Sequence, residues 1–170
     1  MPRHLSFSPL DQNVVIVTGK DVYRYFKQQE NGTFKTIHKE ICPAKNLGDL
    51  STDISCHAWM ADGRFILCNE KGQIMLLEQN GDFKQFTISA HGKNPVTITA
   101  VVPFIMQQEG GQGGTGKSQP NSNAKTGFII ASLGGHFRVF MKSDSESRQP
   151  YKCVEGEDLT PHERELNANP

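Results

Sequence analysis

Apolar positions in this chain come in short runs, and turn-forming residues cut the runs apart at regular intervals. The clearest stretch lies between Ile54 and Ile88. It reads Ile54-Ser55-Cys56-His57-Ala58-Trp59, then Asp62-Gly63, then Arg64-Phe65-Ile66-Leu67-Cys68. Lys71-Gly72 leads into Gln73-Ile74-Met75-Leu76-Leu77-Glu78, and Asn80-Gly81 leads into Phe83-Lys84-Gln85-Phe86-Thr87-Ile88. Asn-Gly is the strongest of the three turn signals, because both central residues of a type I′ turn need positive φ. Four short strands in simple up-and-down order make one antiparallel sheet, the shape of a β-propeller blade.

The flanking segments repeat this unit. Leu5-Ser6-Phe7-Ser8 is a short strand closed by Pro9, which cannot donate to a ladder. Val14-Val15-Ile16-Val17 is the β-branched run of a buried strand. Gly19-Lys20 turns the chain into Val22-Tyr23-Arg24-Tyr25-Phe26, and Asn31-Gly32 into Phe34-Lys35-Thr36-Ile37. The repeat is visible at residue level: Asn31-Gly32-Thr33-Phe34-Lys35 returns as Asn80-Gly81-Asp82-Phe83-Lys84, and Phe7 aligns with Trp59. A third unit places strands at Val96–Val102, Gly127–Ser132, His136–Phe140 and Tyr151–Val154. Its first two strands are separated by a stretch rich in Gly, Gln, Ser and Asn, a composition too polar to form a core and expected to be disordered.

These patterns predict an all-β chain of about three antiparallel four-stranded blades. Residues 1–39 form the first, 40–53 connect, and 54–94 form the second. Residues 95–155 form the third, with an insert at 109–126, and 156–170 are a polar tail. Leu47 and Leu50 in the connection are expected to tuck against a blade edge. Propellers need about four to eight blades to close, so three make an incomplete ring and read as an excerpt of a longer propeller.

Composition changes this picture little. Of 170 residues, 18 are basic and 18 acidic, so charge offers no reason to expect nucleic acid or an anionic membrane as partner. The apolar fraction of 36% is low, although the 16 glycines close most of the gap to an ordinary domain. The four cysteines at 42, 56, 68 and 153 form no Cys-x-x-Cys, so neither zinc nor redox spacing is present, and all are expected to be reduced. No long apolar run suggests a signal peptide or a membrane span. Asn31-Gly32-Thr33 matches a glycosylation acceptor but is better explained as a turn.

Gly111-Gln112-Gly113-Gly114-Thr115-Gly116-Lys117-Ser118 matches the phosphate-binding pattern G-x-x-x-x-G-K-[ST]. That pattern works where a buried parallel strand enters it and a helix starts at its Lys-Ser end. Here Gln119-Pro120-Asn121-Ser122-Asn123 follows, with no apolar period, and the preceding strand belongs to an antiparallel blade. The match reads as chance. His57 shares a strand face with Trp59 at the position of Leu5, and reads as a packed or hydrogen-bonded core histidine. His91 reads as a brace between blades, and His136 lies in a Gly-Gly turn. Tyr25, Leu77 and Phe140 occupy equivalent third-strand positions and read as core. No nucleophile, acid–base pair or metal-ligand spacing emerges, so no catalytic, cofactor-binding or metal residue is assigned and no small-molecule substrate is expected.

Leu5-Ser6-Phe7-Ser8-Pro9-Leu10-Asp11, Thr18-Gly19-Lys20-Asp21-Val22-Tyr23, Cys56-His57-Ala58-Trp59 and Lys71-Gly72-Gln73-Ile74 come in an order that resembles WD-repeat cilia- and flagella-associated proteins. No Trp-Asp dipeptide occurs, so the repeats are degenerate. The resemblance implies a larger axonemal protein with two N-terminal propellers and a C-terminal coiled coil. Such proteins help place or regulate inner dynein arms, so the implied partners are axonemal proteins and the implied activity is non-enzymatic scaffolding. The alternative is a propeller module of a cytosolic complex unrelated to cilia.

Overall fold

The structure, a computed structural model, describes residues 1–38, 51–80, 83–89, 96–106, 125–143 and 151–154. Among the described residues none is helical, and twelve strands form three antiparallel four-stranded sheets. Sheet 1 contains β1 (Pro2–Phe7), β2 (Val14–Gly19), β3 (Val22–Gln28) and β4 (Phe34–His38). Sheet 2 contains β5 (Ile54–Trp59), β6 (Phe65–Asn69), β7 (Gln73–Leu77) and β8 (Phe83–Ser89). Sheet 3 contains β9 (Ile98–Met106), β10 (Lys125–Ser132), β11 (His136–Lys142) and β12 (Tyr151–Cys153). In each sheet spatial order follows chain order.

The register makes the internal repeat explicit. Ser6 pairs with Ile16, Ala58 with Ile66, and Val102 with Ile129. One residue on, Phe7 pairs with Val15, Trp59 with Phe65, and Pro103 with Phe128. Because side chains alternate across a strand, each sheet has two faces, and both matter here. Ile16, Tyr23 and Tyr25 of sheet 1 pack on Phe65, Leu67 and Leu77 of sheet 2 in one core. The opposite face of sheet 2, with Cys56, Ile66, Cys68 and Leu76, packs on Phe128, Ile130, Phe140 and Tyr151 of sheet 3 in a second core. Sheet 2 is therefore buried on both sides, and every residue of β6 is buried. This is why β6 reads as an unbroken apolar run rather than an alternating one.

Aromatic rings fill much of both cores. The Phe65 ring lies 5.0 Å from that of Trp59 and 6.4 Å from those of Tyr23 and Tyr25. Phe128 stacks on Phe140 at 4.9 Å and meets Tyr151 at 5.2 Å. The first strands also bind one another across the sheets. His4 Nε2 donates to the Ser55 carbonyl at 2.6 Å, and Ser55 Oγ donates to the Ile98 carbonyl at 2.5 Å.

The glycines of the Asp-Gly, Lys-Gly and Asn-Gly turns take positive φ: 81° at Gly63, 72° at Gly72 and 81° at Gly32. The first hairpin differs from expectation. Gly19 ends β2, and Lys20-Asp21 makes the turn, with Asp21 at φ 53°. Glycine is needed at position 19 for space, because a Cβ there would lie 2.1 Å from the Met1 carbonyl oxygen. The first strand of sheet 3 also differs. It runs through Pro103 to Met106, which pairs with Lys125. Lys125 and Thr126 thus belong to β10, not to the insert. Pro103 is tolerated because β9 is an edge strand. The rest of the Gly-rich insert, the connection from 40 to 50 and the tail lie outside the described residues.

Candidate functional site

The seam between sheets 1 and 2 holds the most developed polar cluster among the described residues. His57, on β5, points at sheet 1 between two hydroxyls. Ser6 Oγ lies 2.5 Å from its Nε2 and Thr18 Oγ1 lies 2.7 Å from its Nδ1. Trp59 Nε1 donates to the same Ser6 Oγ at 2.9 Å. The His4 ring meets the imidazole edge-on, with centroids 5.9 Å apart. A neutral imidazole has one donor and one acceptor nitrogen, and a hydroxyl can serve either, so both nitrogens are satisfied in either tautomer. Thr18 is fully buried. Burial, reinforced by the neighbouring His4, pulls the His57 pKa down to about 4.

The chemistry of this cluster is that of a joint. A serine beside a histidine suggests a nucleophile and its base. An imidazole with a pKa near 4 is a weak base, and the third member of the group is Thr18 where an activating carboxylate would stand. Ser6 also already accepts the indole N–H. What the group does well is satisfy polar atoms at the contact of two sheets.

The remaining ties have the same character. Tyr25 Oη donates to the Gln79 carbonyl at 2.6 Å, and the Asn80 carbonyl accepts from His38 Nε2 at 2.9 Å. Arg3 pairs with Asp53 at 2.7 Å. On the other side, Arg64 holds Asp62 at 2.5 Å and reaches Tyr151 Oη at 3.3 Å, so one guanidinium links sheets 2 and 3. Burial favours the neutral form of Asp62, but the Arg64 hydrogen bonds and charge outweigh it and its pKa falls. Cys56 and Cys68 stand opposite one another on β5 and β6 as free thiols, and Cys153 is also free. Burial and the bond to Cys56 raise the Cys68 thiol well above its ordinary value, while the Cys68 hydrogen bond lowers Cys56 despite its burial. No group of three or more His, Cys, Asp and Glu among the described residues could hold a metal ion.

An apolar cleft of about 850 Å³ opens where the first strands end, lined by Phe7, Trp59, Met60, Phe104 and Ile105 among others. Its wall is mainly apolar, with Asp62 and Thr126 also among the lining residues. It suits an apolar side chain of a partner better than a charged metabolite.

The sequence placed His57 correctly beside Trp59 but offered no partner for either. Ser6 and Thr18 are the residues it missed. The available signal was a Thr ending the β-branched run Val14–Val17 and a Ser between Leu5 and Phe7, both on the face turned toward sheet 2. His136 opens β11 just after Gly134 and Gly135, both at positive φ. His91, Cys42 and the segment from Gly111 to Ser118 lie outside the described residues. Leu77 and Phe140 are equivalent, pairing with Phe65 and Phe128. Tyr25 is not their equivalent. It pairs with Ile16, so it enters the first core from the opposite sheet.

No protein-family model matches the chain, and no curated protein matches it.

Proposed function

We propose that the three sheets are successive blades of a WD-repeat-like β-propeller and that the chain is a non-enzymatic protein-interaction scaffold. In this reading it forms part of an axonemal WD-repeat protein that helps place or regulate inner dynein arms. The observation that carries the scaffold reading is the construction of the sheets. Three four-stranded meanders stack face to face in chain order, and their first strands are tied in series through His4, Ser55 and Ile98. Such stacks present rigid loop surfaces and edges that suit protein partners. The His57 cluster supports it further, because its hydrogen bonds are all spent within the seam. The ciliary assignment rests on the Cys56-His57-Ala58-Trp59 strand and its companion segments.

Tagging the endogenous protein in a motile ciliated cell and extracting demembranated flagella tests this. Retention in the axoneme, with altered beating after gene disruption, is expected. A tag confined to the detergent-soluble fraction, or normal beating without the gene, overturns the ciliary assignment and favours a cytosolic propeller module.

A further inference from the structure

Sheet 2 carries a second side-chain pair that neither the polar seam nor the apolar cleft uses. Cys56 on β5 and Cys68 on β6 are direct cross-strand partners, both free and both buried in the core between sheets 2 and 3. Opposite residues of an antiparallel pair carry their side chains on one face, with Cβ atoms about 4.5–5.5 Å apart. A disulfide needs about 3.5–4.5 Å, so closing one takes roughly 1 Å of movement. The register shifts between Ile54 and Cys56, and a ladder interrupted in this way can give locally. The two thiols already meet, the Cys68 S–H donating to the Cys56 sulfur. Cys153, by contrast, lies opposite Phe140 on an edge strand and is exposed.

We propose that Cys56 and Cys68 are a redox pair, which hydrogen peroxide closes into a reversible cross-strand disulfide. Cys56 is the residue that meets the oxidant. It keeps 5% of its surface exposed, where Cys68 keeps none. The Cys68 hydrogen bond also favours the Cys56 thiolate, the form that attacks peroxide, whereas burial holds Cys68 protonated. The Cys56 thiolate attacks one peroxide oxygen and the O–O bond breaks. The departing hydroxide takes up a proton, and Cys56 is left as a sulfenic acid. The Cys68 sulfur then attacks the Cys56 sulfur, the S–O bond breaks, and the Cys68 proton leaves with the hydroxide as water. Two thiols and one peroxide thus yield one disulfide and two waters, the sulfurs losing the two electrons that the peroxide gains. Oxidation removes the S–H that Cys56 gives the Ile98 carbonyl at 3.8 Å, but that carbonyl keeps the Ser55 hydroxyl. Strained disulfides are the easily reduced ones, so a thiol reductant reopens a bond drawn in across the ladder. Both residues lie in one sheet, so the pair closes whether or not further blades flank it.

Peptide mapping tests this. The folded 170-residue chain would be treated with a small excess of hydrogen peroxide, quenched with catalase, unfolded, alkylated and digested with trypsin. Mass spectrometry is expected to find residues 46–64 linked to 65–71, two hydrogens lighter than the separate peptides, and to lose that species after dithiothreitol. Cys68→Ser should halt the reaction at the Cys56 sulfenic acid, which dimedone traps. Cys56→Ser should leave Cys68 fully open to alkylation after unfolding. Full alkylation of both cysteines in the treated unsubstituted chain overturns the proposal. So do links that join either of them to Cys42 or Cys153 instead, or a dimedone adduct on Cys68 in the Cys56→Ser variant. If a serine variant fails to fold, the map of the unsubstituted chain still decides. None of these outcomes touches the scaffold reading, which fails on flagellar fractionation instead.

Discussion

Ser6 Oγ and His57 Nε2 stand 2.5 Å apart across the seam of two sheets, although 51 residues of chain separate them. The contact makes a polar strand residue of one repeat depend on the next repeat for its hydrogen bond. With Thr18 on the other nitrogen and Trp59 on the same serine, it fixes how sheet 1 lies on sheet 2. Apolar packing alone is non-directional. These bonds add the direction.

The pH dependence of stability follows from the same histidine. Its pKa falls from 6.5 to about 4 on folding, so between those values the unfolded chain binds more protons than the folded one. Stability therefore rises with pH across that window, is complete above 6.5, and is lost as pH falls toward 4. The full change is roughly 3 kcal/mol from this one group. Urea denaturation at pH 7 and pH 4.5 should show most of that loss, and His57→Gln should flatten it. An equal loss in the variant would assign the acid sensitivity to other groups.

Gly127 is a second fixed point. A Cβ there would sit 2.4 Å from the Phe140 carbonyl oxygen and 2.6 Å from the Phe104 ring. The ring can move, but the carbonyl belongs to the paired strand. Gly127→Ala is expected to lower stability by about 2 kcal/mol, as overpacking does. Gly32→Asn, at an open turn with φ 81°, should cost little, since Asn tolerates that conformation. Denaturant midpoints of the two variants check the ranking, and a larger loss at Gly32 would contradict it.

Met106 and Lys125 face each other at the open end of the β9–β10 hairpin. An Asn-Gly pair can therefore replace residues 107–124 and close the hairpin with a type I′ turn. Loop closure costs only about 0.6 kcal/mol per doubling of length, so shortening should not lower the melting temperature. Loss of fold would show that the removed segment packs on the sheets. Equilibrium dialysis should find ATP at background in both forms, and saturable binding abolished by Lys117→Ala would revive the phosphate-binding pattern as functional.

The strands were legible because their turns were. Gly63, Gly72, Gly134 and Gly135 sit at positive φ where Asp-Gly, Lys-Gly and Gly-Gly punctuate the apolar runs. The first hairpin was less legible because Asp21, not a glycine, carries the positive φ. That turn is also one residue shorter than its counterpart in sheet 2, which shifts Tyr25 to the opposite face from the one that Leu77 and Phe140 share. The length of β9 was hidden by Pro103, whose place on an edge depends on strand order rather than on local pattern. The polar seam was hidden for a similar reason. Ser6 and Thr18 acquire their role only when a neighbouring sheet brings His57 to them, and no spacing along the chain encodes that approach.

The claim that the sheets are joined as successive repeats rests most heavily on the Ser6–His57 contact, and a double-mutant cycle measures it directly. Ser6→Ala, His57→Leu and the double variant would be unfolded in urea at pH 7. A coupling energy of about 1 kcal/mol is expected, since each single change takes from a half-buried polar side chain its partner across the seam, a loss that the double change does not add to. Strict additivity of the two single losses would mean that sheets 1 and 2 do not meet through these residues, and would contradict the account.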